Sequence, residues 1–407
     1  MSDHKQARAD HPIHEMNLRD IQQAIRDNNG DGWLFFDIHH RDTLAYRILG
    51  LDLERMTTRR WYYFIPKEGM PTKLVHRVEQ GRLGALPGNT VLYVGWRELH
   101  EKLRGLLGGR QRVFMQYSPM NNIPMVSCVD AGTVELVRSL GKDVLSSAEL
   151  VQFFEARVDE AGAASHRAAG AKVQRIKDDA FQLIISAIKS NRHVSEYDVQ
   201  QFILAEFDRE NLTCDGSPPM VGVNEHAADP HFEVSPGNPS AIKENDRVLI
   251  DLWARENVPE GIYYDITWCG FMGKKPDELY RQLFAVVVQA RDLTKQFIAQ
   301  RVAAKQPVFG WEADDVCRNC ISQHGYGDFF LHRTGHSIHR SVHGNGANLD
   351  NLETKDERRI IWGSCFSIEP GIYKDGIGVR SEIDVLLDAQ GNVCVAGPEQ
   401  HKLILLE

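Results

Sequence analysis

The stretch Phe366-Ser367-Ile368-Glu369-Pro370 is an apolar run that ends in a carboxylic acid. A carboxylate in such a place is costly to bury unless it is paired or bound to a metal ion. The pattern occurs three more times in the C-terminal half: Asp251 in the run 247–252, Asp265 in the run 263–267, and Glu382 in the run 379–385. One such acid could be a hydrogen-bonded core residue, but four within one domain favour a shared site.

Four histidines lie within 13 residues, between the second and the third of these acids: His332, His336, His339 and His343. The motif H-E-x-x-H of zinc peptidase helices is absent, and Gly335 interrupts the run. A lone histidine is usually structural, but four histidines beside four buried-looking acids favour a metal site. One imidazole and four carboxylates could hold two divalent ions about 3.5–4 Å apart. Oxygen-rich ligation suits manganese, with zinc, cobalt and iron as alternatives.

The chain has 407 residues, a length that predicts two domains. The first 150 residues alternate strand-like runs, such as 32–36, 61–65, 91–94 and 113–116, with helical patterns, which indicates an α/β domain. The small, flexible segment Ala161-Gly162-Ala163-Ala164 predicts a boundary, so we expect domains at 1–160 and 161–407.

The second half should begin with two helices. Apolar residues at steps of three and four from Ala169 to Ala187 predict a long helix. Ser195 and Asp198 predict a capping box at the start of the next helix. Strands should follow from about residue 245, and a further helix from Pro276 to about Ala304 with Pro276 in its first turn.

Composition excludes several functions. The formal net charge is −9, which argues against nucleic acid as a partner. No apolar run approaches the roughly 20 residues that span a membrane. Residues 1–6 are polar and lead into no apolar segment, so no secretory signal is expected. Seven scattered cysteines suit free thiols in a reducing cytoplasm, and the single C-x-x-C pair at Cys317 and Cys320 lacks the second pair of a structural zinc site.

These residues together resemble the pita-bread-fold metallopeptidases, the family of prolidase, aminopeptidase P and methionine aminopeptidase. In that family the metal ligands follow the order Asp, Asp, His, Glu, Glu. The residues at matching positions here are Asp251, Asp265, His336, Glu369 and Glu382. Glu369-Pro370-Gly371-Ile372-Tyr373 resembles the fourth-ligand motif in full, and Arg380-Ser381-Glu382 resembles the fifth. The resemblance implies an N-terminal creatinase-like α/β domain followed by a pita-bread catalytic domain of the α/β (α+β) class.

The proline-specific branch of this family is the most similar. That branch has one histidine four residues before the metal histidine, another seven after it, and a third ahead of the first aspartate strand. His332, His343 and His231 stand at those positions. The resemblance implies a homodimer that binds two divalent metal ions and cleaves Xaa-Pro bonds in small peptides. The presence of a basic residue, Lys355, favours an Xaa-Pro dipeptidase within this branch.

The resemblance also implies roles for the individual residues. Glu369 would carry a proton to the leaving nitrogen as well as bind metal. His343 and His231 would donate hydrogen bonds to the tetrahedral intermediate, and His332 would shape the pocket for proline. Arg380 would orient the ligand carboxylates. Lys355 would bind the free carboxylate of a dipeptide, as an arginine does at a comparable position in prolidases.

Several alternatives stay open. An aminopeptidase P would cleave longer Xaa-Pro peptides. A creatinase-like hydrolase would need no metal, although the complete ligand set counts against it. Another hydrolase or lyase on the same scaffold could keep the metals and change the substrate, whereas a non-enzymatic relative typically loses ligands. The departures from the family pattern are the lengthened stretch 256–260 and the residues Trp268, His339 and Gly344, all expected near the pocket, so they affect substrate choice more than metal binding.

Overall fold

The computed structural model describes residues 17–406. Residues 1–6, on which the expectation of no secretory signal rests, lie outside the described residues. The chain divides into two units, Met1–Glu155 and Ala156–Glu407. The expected boundary after residue 160 stays a prediction, but the segment 161–164 is no flexible linker, because a helix spans Glu160–Lys189.

The first unit is an α/β domain built on one six-stranded sheet. Its strands follow the spatial order β4-β3-β2-β1-β5-β6, and β2 alone runs antiparallel to its neighbours. The strands are β1 (Gly32–Asp37), β2 (Trp61–Pro66), β3 (Thr72–His76), β4 (Asn89–Tyr93), β5 (Arg112–Met115) and β6 (Asp143–Ser146). The helices are α1 (Leu18–Asp27), α2 (Thr43–Leu49), α3 (Trp96–Leu106), α4 (Ala131–Ser139) and α5 (Ala148–Glu155).

Helices cover both faces of this sheet. Every residue of β1 is buried, as expected for a strand between two helical layers. Trp33 and Phe35 point to the face covered by α1, α2 and α5. Leu34 and Phe36 point to the other face, which α3 and α4 cover. The aromatic run in the sequence therefore predicted this central strand correctly.

The described part of the second unit, residues 156–406, contains two larger sheets, a β-hairpin and four α-helices. One sheet has the order β17-β10-β9-β7 with β8 also paired to β9, and the other has the order β11-β12-β15-β16. The strands are β7 (Leu212–Thr213), β8 (Met220–Val223), β9 (Arg247–Glu256), β10 (Tyr264–Phe271), β11 (Ser337–Ile338), β12 (Cys365–Ile368), β13 (Gly371–Lys374), β14 (Ile377–Arg380), β15 (Ile383–Leu387), β16 (Val393–Val395) and β17 (Ile404–Leu405). The helices are α6 (Glu160–Lys189), α7 (Glu196–Arg209), α8 (Glu278–Ala303) and α9 (Gly310–Gln323).

The predicted helix starts agree with the structure in one case and differ in another. Ser195 caps α7, and its side chain and that of Asp198 form the expected capping box. The side chain of Asp277 caps α8 by accepting from the backbone of Tyr280. Pro276 therefore precedes the helix, and its expected place in the first turn was wrong because Asp277 provides the cap.

Strand alternation puts the first two acids on one face of the central sheet. Asp251 on β9 lies opposite Thr267 on β10, and Asp265 is two residues before Thr267. Side chains two residues apart in a strand point to the same face, so Asp251, Thr267 and Asp265 share one side. The opposite side carries Ile250 and Ile266, which pack in the core formed with α6 and α7.

The last two acids lie opposite one another on a two-stranded ribbon. Strand β12 pairs with β15 through Ile368 and Ile383, and β13 pairs with β14 through Gly371 and Arg380. Both pairings keep the same register, so Glu369, just after β12, is opposite Glu382, just before β15. The ribbon ends in the two-residue turn Asp375-Gly376, whose φ angles of 51° and 73° fit a type I′ turn.

Residues 17–406 contain no helix with the length and apolar character needed to cross a bilayer.

Candidate metal centre

The acids and the histidine that the sequence singled out converge between the sheets of the second unit. Ligand atoms of Asp265, His336 and Glu382 all lie within 4.8 Å of one another. His336 Nε2 is 3.6 Å from Asp265 Oδ2 and 3.5 Å from Glu369 Oε1. Asp251 joins the group through Arg380, whose guanidinium contacts its carboxylate. The structure thus brings together all five residues expected to bind metal.

His336 presents one particular nitrogen to the acids. Its Nδ1 lies 3.2 Å from the backbone oxygen of Ser337. A carbonyl oxygen can only accept, so Nδ1 carries the hydrogen and Nε2 keeps its lone pair toward Asp265 and Glu369. Burial lowers the pKa of His336 and keeps the ring neutral. A neutral imidazole with its free nitrogen among carboxylates is the form that binds a metal ion.

Three buried carboxylate oxygens in the cluster have no hydrogen-bond partner among residues 17–406: Asp251 Oδ1, Asp265 Oδ1 and Glu382 Oε1. Buried polar atoms are nearly always paired, so orphaned ones need an explanation. Oxygen atoms in this number, beside an imidazole nitrogen, fit the preferences of a divalent cation. The residues present therefore fit a metal site.

The charge of the cluster leads to the same conclusion. Burial, reinforced by neighbouring carboxylates, raises the pKa of Asp265 and Glu382 well above the usual range. Burial also raises the pKa of Glu369 to about 7. Against the four acids of the set, Arg380 is the one guanidinium among the described residues that contacts a member of it. With all four acids ionised, three negative charges would remain beside Arg380, more than one divalent ion can neutralise.

A second layer of side chains holds the ligands in place. Thr267 donates a hydrogen bond to Glu382 Oε2 (2.8 Å) and accepts one from Arg380 Nε (3.0 Å). The backbone N–H of Asp265 donates to Asp384 Oδ2 (2.7 Å). Ser367 Oγ accepts from the backbone N–H of His336 (3.0 Å). Sequence reasoning anticipated only Arg380. Thr267 could have been found from its same-face spacing with Asp265.

The three other histidines occupy different positions around the cluster. The ring of His343 meets the ring of His336 edge to face, with centroids 4.4 Å apart. His332 lies 2.8 Å from the hydroxyl of Tyr373, a residue that sequence reasoning missed as a partner. His231 is exposed, yet it is close enough to contribute, after His336, burial and Arg333, to lowering the pKa of His343 to about 3.

Two basic residues that could bind a substrate carboxylate, Lys355 and Arg333, differ in their surroundings. Lys355 is half exposed, and its amine pairs with Glu357 at 2.8 Å. Arg333, which sequence reasoning passed over, forms no ion pair with any carboxylate of residues 17–406. Its charge contributes, after burial, to lowering the pKa of both His332 and His336. The backbone N–H of Arg333 donates to Glu353 Oε1 at 3.1 Å, but its guanidinium has no ion-pair partner in the described part of the chain.

The three residues that depart from the family pattern, Trp268, Gly344 and His339, all contact other parts of the second unit. Trp268 lies on the α6 side of β10, with the amine of Lys177 3.5 Å from its ring centre. Trp268 therefore points away from the face of Asp265 and Thr267, contrary to the expectation that it lies near the pocket. Gly344 donates its N–H to Ser337 O (2.6 Å), and His339 Nε2 is 3.3 Å from Arg157 O.

Comparison with known proteins identifies the family. The model of metallopeptidase family M24 matches residues 168–389, which is more than half of the chain and includes all five expected ligands. The chain belongs to metallopeptidase family M24. Its M24 membership confirms the resemblance drawn from the motifs, and it implies a site for two divalent ions.

Individual M24 relatives are distant in sequence. An uncharacterized peptidase of Staphylococcus saprophyticus is 29% identical over 235 residues, and the match covers 56% of this chain and 60% of that protein. The match thus spans less than two thirds of the relative.

Solved structures share the fold over nearly the whole chain. Dipeptidase PepE from Mycobacterium ulcerans has a TM-score of 0.64 and 20% identity over 98% of this chain and 100% of its own. The Xaa-Pro dipeptidase from Bacillus anthracis has 0.56 and 21% over 96% and 100%. The X-prolyl aminopeptidase from Caenorhabditis elegans, described as a cytosolic enzyme with a di-nuclear active site, has 0.61 and 13% over 95% and 62%. At these identities the likeness shows the two-domain fold.

Proposed function

We propose that this M24 peptidase is a two-metal Xaa-Pro dipeptidase. The observation that carries the proposal is the buried group of Asp265, His336 and Glu382, whose ligand atoms lie within 4.8 Å of one another, together with Glu369 and Asp251 beside it. The metals would be held by Asp251, Asp265, His336, Glu369 and Glu382. Manganese is the proposed ion, with zinc, cobalt and iron as alternatives.

When bound, the two ions would supply a nucleophilic hydroxide at neutral pH and polarise the scissile carbonyl. The side chains of the chain supply the remaining functions. Glu369, whose Oε1 lies 3.5 Å from His336 Nε2, accepts a proton at its carboxylate and passes it to the leaving nitrogen of proline. Because that nitrogen belongs to a tertiary amide, it must be protonated before the bond breaks.

The histidines other than His336 would act on the substrate and not on the metal. His343 and His231 donate hydrogen bonds to the oxygen that becomes negative in the tetrahedral intermediate, where each donor contributes to the rate. His332, held by Tyr373, shapes the pocket for the proline ring. Arg380 bridges Asp251 and Thr267, and thus fixes the orientation of a metal-binding carboxylate.

A dipeptidase must also bind the free carboxylate of its substrate. Lys355 is the candidate from the sequence, although its amine pairs with Glu357. Arg333 is a second candidate because its guanidinium has no carboxylate partner among residues 17–406 and it lies next to His332. An arginine can bind a carboxylate through two parallel hydrogen bonds, which lysine cannot.

Further parts of the proposal concern assembly and location. A homodimer rests on the family resemblance alone. A cytoplasmic location agrees with the seven cysteines, all of which are free. The substrates are small peptides, and nucleic acid and membrane are not proposed as partners, in keeping with the net charge of −9.

The test combines metal analysis with a peptide panel. Purified protein should contain up to two divalent ions per chain and should hydrolyse Xaa-Pro dipeptides. Chelation should abolish turnover, and manganese should restore it. Full activity in the metal-free protein would overturn the two-metal proposal in favour of a creatinase-like reaction. Preference for Xaa-Pro-Xaa tripeptides would make the enzyme an aminopeptidase P, and failure on every proline peptide with metal bound would mean another substrate.

A further inference from the structure

The segment 224–240 connects β8 to the region before β9 and carries His231. One carboxylate forms hydrogen bonds at both ends of this segment. Glu196, the first residue of α7, is fully buried. Its Oε1 accepts from the backbone N–H of Val223 at 2.8 Å, and its Oε2 accepts from the backbone N–H of Ser240 at 2.7 Å. The two ends of the segment thus meet at a single side chain.

The same carboxylate also holds the interior of the segment. His226 Nδ1 lies 2.9 Å from both oxygens of Glu196. The ring of His226 stacks on that of Phe232, with centroids 4.0 Å apart and an angle of 23° between the planes. Phe232 directly follows His231. The contacts therefore run from Glu196 through His226 to Phe232, which is the residue next to His231, the proposed hydrogen-bond donor.

Backbone contacts complete the arrangement. The N–H of His231 donates to Asp229 Oδ1 at 3.0 Å, and the N–H of Phe232 donates to Asp229 O at 3.2 Å. Ala227 packs so closely on Gly378 of β14 that a side chain at position 378 would collide with its carbonyl oxygen. The segment is thereby held against the strand that carries Arg380. His231 itself is exposed and depends on these neighbours for its position.

We propose that Glu196 is a positioning residue for the peptidase reaction, because its carboxylate fixes the 224–240 segment and so holds His231 at the site. The inference rests on the proposed function, since His231 matters only if it contacts the substrate. Among residues 17–406, the side chain of Glu196 has no hydrogen bond or ion pair with a proposed metal ligand. It acts through His226, Val223 and Ser240.

The decisive variant is Glu196→Gln, which keeps the size of the side chain but replaces one acceptor oxygen with an amide NH2. That group cannot accept from the N–H groups that now meet there. Glu206→Gln is the matched control, because Glu206 lies on the same helix, is 9% exposed and pairs with Arg209 instead of the segment. Glu196→Gln should lower kcat/KM about 10- to 100-fold, less than the roughly 100- to 1,000-fold cost of losing an oxyanion donor outright. The control should match the wild type.

A double-mutant cycle distinguishes positioning from a general structural role. Glu196→Gln combined with His231→Ala should be about as slow as His231→Ala alone, because both changes remove the same interaction. Metal content should stay at the wild-type level throughout. Wild-type activity in Glu196→Gln, or losses that multiply in the double variant, would overturn the proposal. If Glu196→Gln does not fold, His226→Ala replaces it in the cycle with the same expectations.

Hydrogen exchange tests the same contacts without a substrate. In Glu196→Gln the amides of Val223 and Ser240 should exchange faster than in Glu206→Gln, and unchanged exchange would contradict the positioning role. If the wild-type enzyme cleaves no Xaa-Pro peptide while this exchange difference is present, the proposed function fails and the role of Glu196 in holding the segment stands.

Discussion

The hydroxyl of Tyr373 lies 2.8 Å from His332 Nε2. The other ring nitrogen, Nδ1, lies 2.8 Å from the backbone oxygen of Arg333 and must carry the hydrogen. The hydroxyl of Tyr373 therefore donates a hydrogen bond to His332 Nε2, and its oxygen accepts one from Arg380 Nη1 at 2.9 Å. One phenol thus connects the proposed proline-pocket histidine to the arginine that contacts Asp251.

Replacing Tyr373 with phenylalanine removes this connection and leaves the ring in place. Tyr373→Phe should keep both metal ions and lower kcat/KM up to about tenfold, the cost of roughly one hydrogen bond. Tyr263→Phe is the control, because its hydroxyl donates instead to Asp215 Oδ2 at 2.7 Å. Steady-state kinetics with metal analysis tests the prediction. Loss of metal in Tyr373→Phe would mean that the phenol acts mainly by orienting Arg380 and Asp251.

Glu382 should be indispensable to the metal centre. Its side chain is buried, with one oxygen unpartnered and the other bound by Thr267. Glu382→Ala should lose at least one ion per chain while the fold remains, because the change removes a ligand and little core volume. Elemental analysis together with circular dichroism measures both. A wild-type metal content in the folded variant would show that the assignment of the fifth ligand is wrong.

His343 should affect catalysis without affecting metal content. Its ring packs against that of His336 and is expected to contact the substrate. His343→Ala should retain both ions and lower kcat by about 100- to 1,000-fold, the usual cost of losing one oxyanion donor. Single-turnover kinetics on the metal-loaded variant is the measurement. Loss of metal together with activity would make His343 a ligand, and an unchanged kcat would make it structural.

The preference for dipeptides over longer peptides should depend on a basic residue, either Lys355 or Arg333. Xaa-Pro dipeptides should be cleaved better than Xaa-Pro-Xaa tripeptides. Lys355→Ala or Arg333→Ala, whichever removes the carboxylate-binding group, should raise KM for the dipeptide more than for the tripeptide. The two variants serve as controls for each other. Equal effects on both peptide lengths in both variants would exclude these residues, and a tripeptide preference would favour aminopeptidase P.

A pH-dependent stability effect is expected in the first unit, far in sequence from the acids discussed above. Asp42 caps α2 through Oδ1, while Oδ2 is buried with no hydrogen-bond partner among the described residues 17–406. Burial raises the pKa of Asp42 to about 7. The folded protein therefore holds this proton more tightly than the unfolded chain does. The resulting stabilisation of the fold is complete below the ordinary pKa near 4 and is lost as the pH rises through 7. Asp42→Asn keeps the cap and carries no charge.

The wild type should therefore lose stability relative to Asp42→Asn between pH 4 and pH 8, by at most about 4 kcal/mol. Chemical unfolding of both proteins at several pH values is the measurement. Parallel pH profiles for the two proteins would show that the carboxyl group of Asp42 has an ordinary pKa.

The sequence predicts the acids of the centre better than the network around them. Asp251 and Glu369 are conspicuous because each is a lone acid in an apolar run, and strand alternation puts Asp265 on the same face as Asp251. The contact between Asp384 and the N–H of Asp265 joins residues 119 positions apart. Such pairs depend on how two sheets meet, which local pattern does not encode. Glu196 was missed for the same reason, since it is the first residue of α7, next to the Ser195 cap, and the local pattern does not indicate its contacts with Val223 and Ser240.

The Asp375-Gly376 turn has a consequence for how this protein can change in length during evolution. The turn fixes which residues pair along the ribbon, and so determines that Glu369 is opposite Glu382. A single inserted or deleted residue there would shift the register and move one acid to the wrong side. Natural length variation should therefore be absent from this exposed turn. It should instead accumulate in loops such as 257–260, which follows β9 and whose length does not set the pairing of Glu369 with Glu382.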